Sequence, residues 1–154
     1  MEPSIALAPG AEDSDLARWA ADRIGGSLQR SPAVRRDFDA MRAAVAVVVP
    51  DRRLSITLRF DLGQLTIHDS MIGVPDVTLC GDHAVLMQLP LLPQFPLGRL
   101  PLPTWSTPAE QRQAWRRTLL DLVSGELKIY GLLAHPRLVT RLLRLLSQPA
   151  AEGA

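Results

Sequence analysis

The spacing of apolar residues changes period along the chain, and each change marks a different element. From Ser14, an acidic first turn precedes Leu16, Trp19, Ala20 and Ile24, which share one helical face. Gly25-Gly26 is expected to stop this helix. A second short helix opens with Ser31 as N-cap and Pro32 at the first helical position, and places Val34, Phe38 and Met41 on one stripe. The period then drops to two. The β-branched run Ala44–Val49 ends at the turn Pro50-Asp51, and Leu54, Ile56, Leu58 and Phe60 alternate with Ser55, Thr57 and Arg59. After the reversal Asp61-Leu62-Gly63, residues 64–69 alternate again through Leu65 and Ile67, and residues 75–81 read as a further strand ended by Gly81.

Residues 82–89 predict a short helix capped by Asp82, with Val85, Leu86 and Leu89 facing inward. The segment that follows, PLLPQFPLGRLPLP, carries too many prolines for a helix or a central strand. Thr107, Pro108 and Glu110 form a capping box for a helix reaching about Val123, with Trp115, Leu119, Leu122 and Val123 on its apolar side. A strand over ELKIYG and a helix opened by His135-Pro136 complete the chain. The expected class is α+β, with a roughly five-stranded, mainly antiparallel sheet and helices packed on one face. Residues 1–13 are expected to form a flexible N-terminus, 14–148 a single domain and 149–154 a flexible tail.

At 154 residues the chain is long enough to bury one core without staples. The net charge of +1 and the 5% of aromatic residues give no footprint for nucleic acid. Cys80 is the only cysteine, which excludes an intramolecular disulfide and a Cys-rich zinc site. The first residues lack the basic stretch of a signal peptide, and five prolines interrupt the long apolar tract from Ala84 to Pro103, so it does not read as a membrane span. A soluble, cytoplasmic protein is expected.

Chemistry-bearing clusters are sparse. His68, Asp69 and Ser70 are adjacent on a strand and so point to opposite faces, which prevents a catalytic relay. His68, Asp69, Asp82 and His83 match no metal-ligand spacing, and Cys80 sits among apolar neighbours. No Gly-rich phosphate loop is present. Neither an enzyme, nor a cofactor, nor a metal site is expected.

The run SGELKIYG, with Gly125, Leu127, Lys128, Ile129 and Gly131, leads directly into a leucine-rich helix. Together with LRFDLGQLTIHD and PDVTLCGDHAVLMQL upstream, it resembles the sterol carrier protein type-two domain over residues 45–147. The resemblance implies helices and sheet enclosing an apolar tunnel for sterols, fatty acyl chains or similar lipids, and it implies no catalysis. Residues 90–123 depart from the family pattern by inserting a Pro-rich loop and a full helix. The lining implied on this chain is Leu86 and Leu89, then Leu92, Phe95 and Trp105 in the insertion, Trp115 and Leu119 on its helix, and Leu133, Leu138 and Leu142 around the last helix.

Two features leave alternatives open. Arg137, Arg141 and Arg144 occupy one narrow sector of the last helix, opposite its leucines. They form either a solvated edge of a core helix or a docking face for anionic headgroups in a peripheral membrane contact. The Pro-rich loop either closes the cavity as lid or plug, docks onto a partner, or dips into a membrane. The leading expectation is non-catalytic binding and transfer of a hydrophobic ligand. The alternative is an accessory module with a self-filled cavity, docked onto an enzyme complex such as one of quinone or lipid biosynthesis.

Overall fold

The computed structural model describes residues 2–89 and 109–146. Strand β1 (Ser4–Leu7) is followed by α1 (Asp15–Arg30), α2 (Pro32–Asp39), β2 (Arg42–Val49), β3 (Leu54–Asp61), β4 (Gln64–Asp69), β5 (Val77–Gly81), α3 (His83–Leu86), α4 (Ala109–Ser124), β6 (Leu127–Tyr130) and α5 (Pro136–Leu146). The class is α+β, and the six strands form one mixed sheet in the order β1-β4-β3-β2-β5-β6. Pairs β2–β3, β3–β4 and β5–β6 are antiparallel, whereas β1–β4 and β2–β5 are parallel.

The sixth strand corrects the expectation of a flexible N-terminus. Ser4–Leu7 lies along β4, with Ser4 paired to Gln64 and Leu7 to Ile67, and a short 3-10 turn follows at Ala11–Asp13. Four residues beside Pro and Gly carry too little pattern to announce a strand, and the exposed edge of β4 supplies the partner. Two parallel pairings join the three antiparallel ones and make the sheet mixed, because β1 lies along β4 and β5 returns beside β2 instead of extending the meander at β4.

Side-chain alternation sorts the sheet into two faces. Val45, Val47, Ile56, Leu58, Phe60, Leu65, Ile67, Val77 and Leu79 join a single buried cluster with α1 residues Leu16, Ala20 and Ile24, α2 residues Val34 and Phe38, and α5 residues Val139, Leu142 and Leu145. Helices therefore cover this inner face. The outer face presents small and polar residues, with Ala46 between Thr57 and Thr78 in one cross-strand row. Residues 70–76 cross that face to connect β4 with β5. Buried Thr57 fixes the crossing: its hydroxyl donates to the Ser70 carbonyl (2.8 Å) and accepts from the Ile72 N–H (3.0 Å).

Helix starts follow their caps. Ser14 Oγ accepts from the Ala17 N–H and Ser31 Oγ from the Val34 N–H, with Pro32 opening α2. The end of α1 does not follow its glycines, whereas α4 stops at Ser124 just before Gly125. α1 continues through Gly25-Gly26 to Arg30, and buries Ser27 and Leu28 beyond them. A glycine inside a helix costs only about 1 kcal/mol, less than the burial on either side returns. α3 is also shorter than the predicted span, and the Asp82 side chain makes no capping bond. Asp51, in the turn between β2 and β3, takes that place by accepting from the His83 N–H at 3.0 Å.

Gly131 is the glycine that the fold requires most plainly. Its φ is +87°, and a Cβ there would lie 2.3 Å from the Asp76 carbonyl oxygen. The end of β6 and the end of the β4–β5 crossing are therefore in direct backbone contact.

Candidate functional site

The implied lining divides into three groups. Leu86, Leu89 and Leu142 lie in the main buried cluster, with Trp115 and Leu138 half-buried against it. Leu119 is exposed on α4, and Leu133, 97% exposed, projects from the loop after β6. Leu92, Phe95 and Trp105 lie outside the described residues, as does the capping box at Thr107. The fold thus brings together five of the positions, drawn from α3, the turn after it, α4 and α5, around the inner face of the sheet.

α4 turns a different side inward from the one its large apolar residues predict. Ala114 and Thr118 are buried and Trp115 and Leu122 half-buried, while Leu119, Leu120 and Val123 face outward. α4 packs against β6, and Thr118 satisfies its hydroxyl within the helix by donating to the Ala114 carbonyl at 3.0 Å. Small residues on the buried stripe let the helix lie close to its neighbour.

The three arginines of α5 also separate. Arg144 Nη1 lies 2.5 Å from Asp37 Oδ2 on α2, and Arg141 Nε 3.6 Å from Asp37 Oδ1. Asp37 and Arg144 are mostly shielded from solvent, so this shared carboxylate ties α5 to α2. Arg137 is exposed. With Arg42 and His135 it lines a groove of about 500 Å³ between the start of β2 and the start of α5.

Among the described residues, two buried side-chain polar atoms lack partners: Nε of Arg23 and Oε1 of Gln88. Burial, and then repulsion from Arg30, hold the Arg23 guanidinium below its ordinary pKa. Gln88 escaped sequence reasoning, although a lone amide in the apolar run Leu86-Met87-Gln88-Leu89 is the signal that marks it. Among the described residues, no group of three or more His, Cys, Asp or Glu side chains is arranged to hold a metal ion. His68 lies on the outer face, opposite Thr57, and Asp69 on the inner side. None of the helices described is long and apolar enough to cross a membrane.

Among the described residues, the space between the mixed sheet and its helical layer is filled by apolar side chains. The architecture is that of the sterol carrier protein type-two domain. The similarity that carries this is to UbiJ-SCP2, a ubiquinone synthesis protein, at a TM-score of 0.50 and 21% identity, over 81% of this chain and 90% of that one. A crystal structure of sterol carrier protein 2 aligns at a TM-score of 0.48 and 16% identity, over 84% and 93% of the two chains. A conserved hypothetical protein from Thermus thermophilus aligns at 0.47 and 18%, over 84% and 82%. No family model and no curated protein matches the sequence.

Proposed function

We propose that the protein binds a hydrophobic ligand, a sterol, fatty acyl or isoprenoid lipid, between the sheet and the helices around Leu86, Leu89, Trp115, Leu138 and Leu142, without catalysis. The observation that supports this is the convergence of those five side chains on one apolar interior in a chain with this fold. Ligand affinity would come from buried apolar area, at about 25 cal/mol per Å². The unpartnered Gln88 Oε1 gives a hydroxyl-bearing ligand one acceptor to orient against. Such a pocket discriminates by length and bulk, with modest selectivity per methylene.

A second reading is favoured by the packing itself. Leu86, Leu89 and Leu142 are buried by the protein's own side chains. A self-filled interior suits an accessory module of an enzyme complex, and the similar UbiJ-SCP2 is a ubiquinone synthesis protein. Organic extraction and native mass spectrometry of protein purified from its own host separate the two. A co-purifying lipid, with tryptophan fluorescence that changes on titration with fatty acids, sterols or polyprenyl quinones, is expected of the carrier. Protein that is consistently empty and silent in those titrations would sink the carrier reading and leave the accessory one.

A further inference from the structure

Strand directions place the starts of β2, β4 and β5 and the ends of β3 and β6 at one end of the sheet. Three loops lie at that end, and each holds a large aliphatic side chain in solvent. Leu62, in the β3–β4 turn, is 53% exposed; Val74, in the crossing before β5, is 93% exposed; Leu133, after β6, is 97% exposed.

These loops are fixed. The Leu62 N–H donates to the Met41 carbonyl at 2.9 Å. Asp76 is tied to Ala44 twice, its N–H donating to the Ala44 carbonyl (2.8 Å) and its carboxylate accepting the Ala44 N–H (2.9 Å). Gly131, two residues before Leu133, presses on the backbone of Asp76, two residues after Val74. The His135 N–H closes the last loop onto the Gly131 carbonyl at 2.8 Å. Leu62 also sits at φ +47°, a conformation that Asn or Gly adopts at lower cost. A strained position that spends its side chain on solvent contributes nothing to the core.

We propose that this end of the sheet is the surface by which the protein settles on a phospholipid bilayer, with Leu62, Val74 and Leu133 entering the interface and Arg137 meeting lipid phosphate. Three separate projecting side chains offer on the order of a few hundred Å² of apolar surface. That is well below the roughly 1,200–2,000 Å² of a stable protein pair, and it suits shallow insertion. Arg137 has no ion-pair partner among the described residues, whereas Arg42 faces Asp61 at 3.7 Å and Arg141 faces Asp37. Asp39, beside Gly63, offsets part of the positive charge. Apolar insertion therefore supplies most of the attraction, and headgroup charge a smaller, salt-sensitive share. The inference does not depend on a bound ligand.

The test is co-sedimentation of the full chain with vesicles of phosphatidylcholine alone and of phosphatidylcholine mixed with phosphatidylglycerol. The protein is expected to bind both, with the mixed vesicles ahead at low salt. Val74→Ser and Leu133→Ser should each lower partitioning by about tenfold, and Leu62→Asn, a residue at home at positive φ, should lower it without loss of thermal stability. Arg137→Gln should erase the advantage of the mixed vesicles. Leu120→Ser with Val123→Ser, on the exposed side of α4, should leave binding unchanged. The proposal is overturned if the wild type binds neither vesicle, or if the three loop changes combined bind as well as wild type. It is equally overturned if the wild type self-associates without lipid and the combined variant is monomeric, which would make this end a contact between copies. Protein found empty of lipid but bound to vesicles would sink the carrier reading and leave this one standing.

Discussion

Asp37 shows how one carboxylate decides what a helix face is for. The periodicity of Arg137, Arg141 and Arg144 was legible in the sequence, because three positions at helical spacing declare their own geometry. Their partner was not, since Asp37 lies 107 residues from Arg144 and nothing local to α2 announces the contact. With Asp37 mostly shielded, losing its charge removes the ion pairs it makes with Arg141 and Arg144. Asp37→Asn should cost about 1–3 kcal/mol in urea unfolding. Arg137→Gln, at an exposed position, should stay within about 0.5 kcal/mol of wild type. Equal costs for the two changes would mean that the carboxylate does not hold α5 to α2.

Elements were readable in proportion to the length and regularity of their pattern. β3, β4 and α5 repeat an unbroken period, and their observed spans sit close to the predicted ones. The Gly pair in α1 misled because sequence shows the local cost of glycine and hides the tertiary contacts that outweigh it. Those contacts include Ile5 of β1, whose Cδ1 lies 3.6 Å from where a Gly25 Cβ would stand. That is ordinary van der Waals spacing, so Gly25→Ala should stabilise the protein by about 0.5–1 kcal/mol through helix propensity. A lower unfolding midpoint would show that β1 approaches α1 more closely than this spacing allows. α4 erred in the opposite sense. Its large residues drew the apolar face, while the neighbouring β6 selected small ones, a preference that no reading of one helix alone can supply. Of the implied lining, the α3 and α5 positions lie in or against the buried core, as apolar positions of an inward helix face do, whereas Leu119 and Leu133 are exposed through rotations and loop paths set by distant contacts.

For the molecule as a whole, the N-terminal segment carries more than its composition implies. β1 covers an edge of the sheet, with Ser4 donating to the Gly63 carbonyl and Ala8 to the Ile67 carbonyl. Removing residues 2–8 would bare the unpaired groups of β4. The truncated chain should melt at a lower temperature and associate as its concentration rises, read by light scattering alongside a thermal scan. A monomeric truncation with unchanged melting would return the segment to the status of a loose tail. The pairing of Ser4 with Gln64 has one more consequence. Contacts between residues far apart in sequence form late, because the loop between them must close first. β1 leaves the ribosome before its partner β4, and must therefore wait, unpaired, until the β2–β3–β4 meander has been made. During synthesis the order of emergence and the order of pairing run in opposite directions.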